Sequence, residues 1–178
     1  MEAICMRKAL LILDAQKGFF KHADLDKEYK VIKKMIEIFN ENNDLILGTK
    51  HIDENPDSII YSNSENSKLD NHILKSCDKV FEKTVPSVFS NTNFTNFLKD
   101  ESLTDLIICG FNTEYCGLFN AIVSNDRGFK TTYIEDAIGT VNNDETYEMP
   151  GLDINDFVST VLHWSGVIDV VNFEEFIK

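Results

Sequence analysis

Short apolar runs that alternate with amphipathic segments constrain the fold of this chain more than any other feature. Residues 8–13 (KALLIL) are apolar throughout after the first position, whereas 27–39 (KEYKVIKKMIEIF) carries apolar residues three or four positions apart. A strand buried on both faces shows such a continuous apolar run, and it belongs to a parallel sheet covered by helices on both sides. We therefore expect a single domain over residues 1–178, an α/β fold built as a three-layer α/β/α sandwich with a mainly parallel, Rossmann-like central sheet of about six strands.

The same pattern locates the individual elements. The predicted strands are 8–13, 44–49, 79–81, 104–109, 129–134 and 167–171. The predicted helices are 27–39, 93–99, 116–126, 154–164 and a last one that begins at Phe173. Residues 53–72 are rich in Asn, Asp and Ser, which predicts a long loop. Ligands of open parallel sheets bind outside the carboxyl ends of the strands, so the residues that follow each strand are the candidates for a site.

Charge and cysteine usage exclude several classes of protein. The net charge of −13 argues against nonspecific binding to nucleic acid or to an anionic membrane. No apolar run approaches the roughly 18 residues of a membrane span. The N-terminal apolar run ends at Asp14 without a small-residue cleavage site, which does not fit a signal peptide. The four cysteines form no CxxC pair, which is typical of reduced thiols, so we expect a cytoplasmic protein. Its expected partner is a small molecule, not nucleic acid or a membrane.

Two charged residues stand at predicted strand ends. Asp14 directly follows the first strand, where a carboxylate at the rim of an apolar core has an easily shifted pKa. Lys83 follows the third strand. Taken alone, Asp14 is more often a cap for exposed backbone N–H groups, and Lys83 is more often a solvated surface charge.

A cysteine stands at a comparable position. Cys116 follows GFNTEY and opens the helix 116–126, where the positive end of the helix dipole favours a thiolate and free N–H groups can hold an oxyanion. The common alternative is a buried structural cysteine, which we expect for Cys5, Cys77 and Cys109. With Asp14 as base and Lys83 as a balancing charge, Cys116 could attack a carbonyl group. A parallel sheet would bring all three residues to one crevice.

At these residues the sequence resembles the isochorismatase-like cysteine hydrolases, which include nicotinamidases, N-carbamoylsarcosine amidases and isochorismatases. The matching segments are ALLILDAQKGFF, EKTVPSVFSNTNFTNFL and ICGFNTEYCGLFNAIVSNDRGFKTTYIEDAIGT. They occur in the order found in the family and extend the resemblance over roughly residues 8–171. The resemblance implies a catalytic triad of Asp14 as general base and acid, Lys83 as the charge-balancing partner and Cys116 as the nucleophile.

The resemblance also implies the surroundings of the triad. Family members hold a non-proline cis peptide before the cysteine, here between Phe111 and Asn112, which would aim the Asn112 N–H with that of Cys116 at an oxyanion. The expected substrate-binding residues are Phe19, Phe89, Phe111 and Thr113. Two positions depart from the family pattern, because Gly117 stands where Val is usual and Asn120 where Thr is usual.

A metal site is the least supported part of the resemblance. Nicotinamidases bind a metal through an Asp-x-His pair after the second strand and a later His. Here His51, Asp53 and His72 could ligate zinc, iron or manganese. The order of the first two residues is reversed and one His is missing, so a surface loop is the favoured interpretation. We expect no required cofactor, with a divalent metal as the less favoured alternative.

The expected activity is hydrolysis of a small amide or carbamoyl C–N bond through a thioester at Cys116, as in nicotinamidase-like amidohydrolases. Two alternatives stay open: an isochorismatase-type vinyl-ether hydrolase, and a catalytically idle or redox-responsive binding protein on the same fold. A dinucleotide-binding oxidoreductase is excluded, because LDAQKGFF stands where a G-x-G-x-x-G motif is required. The family implies a homo-oligomer, either a dimer or a tetramer.

Overall fold

A six-stranded sheet forms the middle layer of the molecule. The computed structural model describes residues 7–178. All neighbouring strands are parallel, in the order β3-β2-β1-β4-β5-β6. The strands are β1 (Lys8–Leu13), β2 (Leu45–His51), β3 (Lys79–Lys83), β4 (Asp105–Phe111), β5 (Lys130–Gly139) and β6 (Asp169–Val171). The predicted three-layer fold class is confirmed.

Seven helices cover the two faces of the sheet among the described residues. They are α1 (Lys17–His22), α2 (Asp26–Glu41), α3 (Asn71–Ser76), α4 (Thr92–Asp100), α5 (Leu118–Asp126), α6 (Ile154–Trp164) and α7 (Phe173–Phe176). Right-handed crossovers place α2 and α3 on one face, and α4, α5 and α6 on the other. The ring of Phe176 stacks on Phe39 of α2, which puts α7 in the α2 layer. Between residues 7 and 178, no helix combines the length and the apolar character needed to cross a bilayer.

The central helices form because their apolar residues recur on one face. Helix α2 buries Ile32, Met35, Ile36 and Phe39 against the sheet and leaves its lysines and glutamates outside. Helix α6 begins at Asp153, whose side chain accepts a hydrogen bond from the Asp156 N–H. The apolar period of α2 and the Asp153 cap of α6 can both be recognised in the sequence. The predicted helix 154–164 has the same bounds as α6.

Short elements depart from the sequence predictions. Helices α1 and α3 have six residues each, too few for a helical period to be recognised. The predicted loop 53–72 overlaps the start of α3 and contains a 3₁₀ turn at Glu65–Ser67. Strand β5 continues to Gly139, past the predicted end at 134. Cys5 lies outside the described residues.

The site is positioned by the reversal of strand order between β1 and β4. Connections from these neighbouring strands run in opposite directions, which opens a crevice at their carboxyl ends. Gly110 allows the two strands to approach there: its φ is 113°, and an added Cβ would lie 2.2 Å from the Leu13 carbonyl oxygen.

Candidate active site

Asp14 is fixed at the point where β1 ends. Its φ of 45° lies in the left-handed region, which few residues other than glycine adopt. The Asp14 N–H donates to Thr49 Oγ1 over 3.1 Å, and the Thr49 hydroxyl donates to Asp14 Oδ1 over 2.6 Å. Thr49 lies on the neighbouring strand β2 and is fully buried. The sheet therefore sets both the position and the orientation of this carboxylate.

Lys83 connects the three other groups of the site. It is the last residue of β3, and its Nζ lies 2.7 Å from Asp14 Oδ2, 3.2 Å from Cys116 Sγ and 3.1 Å from His51 Nδ1. Burial acts to lower the pKa of Lys83, but the neighbouring Asp14 and Cys116 outweigh it and hold the pKa above its ordinary value. Lys83 is thus an ammonium ion whose three N–H donors each face an acceptor.

Cys116 lies in a single π-helical turn, Thr113–Gly117, that leads into α5. Burial raises the pKa of its thiol to about 12; the Asp14 charge adds to this rise and Lys83 opposes it. The sequence-based expectation of a favoured thiolate is therefore wrong for the resting site. The cysteine is the fourth residue of the turn and is buried beside a carboxylate, so desolvation and Asp14 outweigh the backbone dipoles.

The turn that carries Cys116 is organised around Asn112. The peptide bond between Phe111 and Asn112 is cis, as the resemblance implies. The Asn112 carbonyl oxygen accepts hydrogen bonds from the N–H groups of Gly117 at 2.9 Å and Tyr115 at 3.3 Å. Its side-chain Oδ1 accepts from the Val141 N–H at 3.3 Å, which ties the segment after β5 to the nucleophile turn.

A cavity of about 440 Å³ opens above these groups. Its wall contains the predicted site residues Asp14, Phe19, Asn112 and Cys116 and the predicted metal ligands His51 and Asp53. The rest of the wall consists of Ser58, Ile59, Ile60, Thr84, Pro86, Tyr115, Val141 and Asn142. A larger surface groove of about 770 Å³ runs along β3 and α4, but it contains none of the triad residues.

Three predicted substrate-binding residues do not line this cavity. Phe89 packs on Phe94 and Phe129, with ring centroids 5.1 and 6.1 Å away. Phe111 is fully buried against Phe19 and Phe20. Thr113 is also buried and donates a hydrogen bond to Asn155. These side chains pack behind the cavity wall: Phe111, for example, contacts Phe19, which lines the cavity.

Sequence analysis missed several residues of the cavity wall. Ile59 and Ile60 come from the segment predicted as a long loop, and Val141 follows β5. The adjacent pair Ile59 and Ile60 is conspicuously apolar within an otherwise polar stretch, and this contrast could have identified them. Tyr115 directly precedes Cys116, and this position could have identified it as a residue of the cavity wall.

The structure does not gather His51, Asp53 and His72 into a metal site. His72 lies in the first turn of α3, away from the cavity wall. Among residues 7–178, the three potential ligands whose donor atoms lie within 4.8 Å of one another are Asp14, His51 and Cys116. The Lys83 ammonium group contacts each of these three residues and occupies the position between them where a metal ion would have to bind. This donor set therefore does not fit an additional metal ion.

Both departures from the family pattern have a local structural role. The buried Asn120 donates from Nδ2 to the carbonyl oxygens of Cys116 at 2.8 Å and Pro86 at 3.0 Å, and its Oδ1 accepts from the Val88 N–H at 2.9 Å. Asn120 thus ties the segment after Lys83 to the helix that follows the nucleophile. At Gly117 an added Cβ would lie 3.3 Å from the hydroxyl oxygen of the buried Tyr133.

Fold and site together define a three-layer α/β protein with a buried Asp–Lys–Cys centre at a strand-order reversal. The family model for the isochorismatase domain matches residues 8–163. The chain therefore belongs to the isochorismatase family.

Individual relatives agree with this assignment. The isochorismatase family protein YrdC of Bacillus subtilis strain 168, described as uncharacterized, is 30% identical over 150 residues, which cover 79% of this chain and 80% of YrdC. The pyrazinamidase of Pyrococcus horikoshii, solved in complex with zinc, superposes with a TM-score of 0.77 at 19% identity, covering 94% of this chain and 99% of that one. A cysteine hydrolase from Pseudomonas syringae pv. phaseolicola 1448A superposes with a TM-score of 0.81 at 17% identity, covering 96% and 91%. At these identities the two structures show a shared fold.

Proposed function

We propose that this protein is a cysteine hydrolase that cleaves a small amide or carbamoyl C–N bond through a thioester at Cys116. The observation that carries the proposal is the position of Lys83 Nζ, 2.7 Å from Asp14 Oδ2 and 3.2 Å from Cys116 Sγ, two residues that line the cavity. A nucleophile, a base and a balancing charge in mutual contact are what covalent catalysis by a thiol requires.

The reaction begins with transfer of the thiol proton to Asp14. Cys116 Sγ attacks the carbonyl carbon, and the developing oxyanion accepts hydrogen bonds from the N–H groups of Asn112 and Cys116. Asp14 then gives its proton to the leaving nitrogen, the C–N bond breaks, and a thioester remains on Cys116. Asp14 next takes a proton from water, whose oxygen attacks the thioester; the acid is released and the proton returns to Cys116 Sγ.

The raised pKa of Cys116 gives Asp14 a necessary part in this scheme. Because burial and Asp14 hold the resting cysteine as a thiol, a base has to accept the thiol proton before Cys116 can attack. Lys83 stabilises the thiolate as it forms, since its Nζ already faces Sγ. The proposed chemistry uses side chains and backbone N–H groups and requires no metal or organic cofactor.

The cavity supports a small substrate. Its volume of about 440 Å³ is in the range of small-ligand sites, roughly 300–1,000 Å³. Phe19, Ile59 and Ile60 offer an apolar surface opposite the polar triad. The pyrazinamidase and cysteine hydrolase with the same fold add support for small amides as the substrate class.

Reactivity of Cys116 tests the triad without knowledge of the substrate. The rate of alkylation by iodoacetamide is measured against pH by peptide mass spectrometry in the wild type, Asp14→Asn and Lys83→Met. Loss of the Asp14 carboxylate removes both the acceptor of the thiol proton and a charge that raises the pKa of Cys116, so the pH profile of alkylation shifts. Loss of Lys83 raises this pKa and slows alkylation at fixed pH. Equal alkylation rates in all three proteins would show that the triad is not electrostatically coupled. Cys77, which is half-buried and lies outside the cavity wall, is the internal control.

Turnover tests the activity itself. Nicotinamide, pyrazinamide and N-carbamoylsarcosine are incubated with the enzyme, ammonia release is measured, and the acyl-enzyme on Cys116 is trapped by acid quench for mass spectrometry. Cys116→Ser should abolish both signals, and Cys77→Ser should change neither. Turnover of isochorismate that survives Cys116→Ser would support a vinyl-ether hydrolase instead. A reactive Cys116 without any turnover would support a redox-responsive binding protein.

We also propose that the protein is a homo-oligomer. Tyr115, Phe119 and Ile122 are exposed at helical spacing along the π-turn and α5, and Phe157, Val161 and Trp164 repeat this spacing on α6, with Trp164 83% exposed. Helices α5 and α6 contact each other, so the two stripes form one apolar face, which a second copy of the chain would cover. Light scattering after size-exclusion chromatography should give a dimer or tetramer that Trp164→Glu dissociates. Leu74→Glu, at an exposed residue on α3, should leave the mass unchanged.

A cytoplasmic location is part of the proposal. The described cysteines Cys77, Cys109 and Cys116 are all free thiols, which suits a reducing compartment. Fractionation of the native cell should recover the protein with the cytosol, and recovery with an exported fraction would contradict the proposal.

A further inference from the structure

His51 contacts the catalytic centre but has no part in the mechanism proposed above. It is the last residue of β2, pairs in register with Lys83 of β3, and lines the cavity. Its Nδ1 lies 3.1 Å from Lys83 Nζ. Among residues 7–178, no other hydrogen bond of the His51 ring is formed.

A fully buried glutamine holds the backbone of His51 from both sides. Gln16 Nε2 donates to the His51 carbonyl oxygen over 3.0 Å, and Gln16 Oε1 accepts from the His51 N–H, also over 3.0 Å. The second Nε2 proton of Gln16 is donated to the Ser67 carbonyl oxygen at 2.9 Å. Two of these bonds fix His51 at the end of β2, and the third ties Gln16 to Ser67 in the following 3₁₀ turn.

Contact with Lys83 determines which nitrogen of His51 carries the proton. An ammonium group has donors only, so Nδ1 must accept and therefore bears no hydrogen. A neutral imidazole then carries its single N–H at Nε2. Burial, together with the charge of Lys83, lowers the pKa of His51, which keeps the ring neutral; Asp14 and Asp53 act in the opposite sense. Because Nδ1 is taken by Lys83, Nε2–H is the one ring donor that His51 has left for a molecule in the cavity it lines.

We propose that His51 is a substrate-contacting residue whose Nε2–H donates a hydrogen bond to an acceptor atom of the bound substrate. The inference rests on the proposed hydrolase function and narrows its substrate class. The apolar wall formed by Phe19, Ile59 and Ile60 receives the body of the molecule. His51 selects amides that carry a second acceptor besides the scissile carbonyl, such as another carbonyl, a carboxylate or a ring nitrogen.

The tautomer is tested by ¹⁵N NMR of the full-length protein with labelled histidine at neutral pH. His51 should show a protonated Nε2 and an unprotonated Nδ1, and Lys83→Met should remove the constraint and give a mixture of both tautomers. A wild-type ring protonated at Nδ1, or at both nitrogens, would overturn the proposal. This measurement does not depend on any catalytic activity.

Two variants test the roles of the two ring nitrogens of His51 separately. His51→Asn places an acceptor near the Nδ1 position and lacks the distal donor, whereas His51→Gln places an amide N–H near Nε2 and lacks the proximal acceptor. We expect His51→Asn to raise KM for a hydrolysed amide about 3- to 10-fold with a smaller change in kcat, as for the loss of one hydrogen bond. His51→Gln should keep KM near wild type and shift the pH profile of Cys116 alkylation. His163→Asn, at an exposed position on α6, is the matched control.

The experiments distinguish a failure of this inference from a failure of the proposed function. If the wild type hydrolyses amides but both His51 variants change kcat and KM to the same extent, His51 has a structural role only and the inference fails. If the wild type hydrolyses none of the amides, the proposed function fails. His51 can still be tested by comparing the rate of Cys116 alkylation by iodoacetamide with the rate of its alkylation by iodoethane. Iodoacetamide has a carbonyl acceptor and iodoethane has none, so the ratio of the first rate to the second should fall in His51→Asn and persist in His51→Gln. An unchanged ratio in His51→Asn would contradict donation by His51.

Discussion

Replacement of Lys83 by methionine should destabilise the protein more than almost any other single substitution. The side chains of Lys83 and Asp14 are 0% and 1% exposed, so the variant leaves a carboxylate in the core without its counter-ion. Thr49 Oγ1 remains as a hydrogen-bond donor to that carboxylate but brings no charge. Removing one partner of a buried ion pair costs about 3–5 kcal/mol, and methionine keeps the volume of the side chain, so the loss reports charge and not a cavity.

The expected loss is large enough to measure in two ways. For a domain of this size, 1 kcal/mol corresponds to roughly 2–4 °C in Tm, so Lys83→Met should melt about 6–20 °C below the wild type. Urea unfolding followed by circular dichroism should show the same loss as a lower midpoint with an unchanged slope. Lys130→Met is the control, because Lys130 faces Asp169 at 3.8 Å with both side chains more than half exposed. Such a surface pair contributes about 0–1 kcal/mol.

A double variant tests whether the missing charge is the cause. Asp14→Asn keeps the left-handed backbone, which Asn tolerates, and it removes the buried negative charge. Asp14→Asn combined with Lys83→Met should recover much of the stability that Lys83→Met loses, because no charge is left unpaired. The reasoning is refuted if Lys83→Met alone stays within about 1 kcal/mol of the wild type, or if the two substitutions simply add.

Four further substitutions test the triad and its surroundings. Gly117→Val should cost about 1–3 kcal/mol by overpacking against Tyr133, and Tyr133→Phe in the same chain should relieve part of the loss in a thermal melt. Asn120→Leu should lower Tm and kcat together, because it leaves the buried Cys116 carbonyl and Val88 N–H unpaired at about 1–3 kcal/mol each. Burial raises the pKa values of the Cys116 and Cys109 thiols above the ordinary 9.0, so the folded state keeps protons that the unfolded state releases. The free energy of unfolding should thus decline above about pH 9, and Cys116→Ser should make the decline shallower by up to about 1.4 kcal/mol per pH unit in urea titrations at pH 8 to 10.5.

The fold could be predicted because its main strands and helices bury enough apolar residues to leave a recognisable pattern in the sequence. Strand β1 has five consecutive buried apolar residues, Ala9–Leu13, and α2 repeats its apolar positions over four turns. Helices α1 and α3 span less than two turns each, so no period can show. Their positions depend on tertiary contacts, such as the bridge between Gln16 and Leu69, which a local pattern does not contain.

The candidate triad was open to prediction for a different reason. Asp14 directly follows β1 and Lys83 ends β3, and the carboxyl ends of parallel strands lie along the same edge of the sheet. The cavity wall was not predictable in this way, because Phe19 and Phe89 have the same chemistry, although Phe19 lines the cavity and Phe89 packs against Phe94. The contact of His51 with Lys83 was missed for a related reason: a His two residues from an Asp predicts a metal ligand, but here the neighbouring cation is the Lys83 ammonium.

In the proposed reaction, the thiol proton moves to Asp14 without a change in the total charge of the buried centre. Before proton transfer, Lys83 is balanced by the Asp14 carboxylate at 2.7 Å; afterwards it is balanced by the Cys116 thiolate, whose Sγ already lies 3.2 Å away. The total charge of the three groups is the same in both states, and no group has to enter or leave water. The third donor of Lys83 remains on His51 Nδ1, so the ammonium need not rotate to exchange one anionic partner for the other. Groups fixed in advance at the positions where charge develops stabilise the transition state without reorganisation, and a solvated lysine near the same cysteine would lack this advantage.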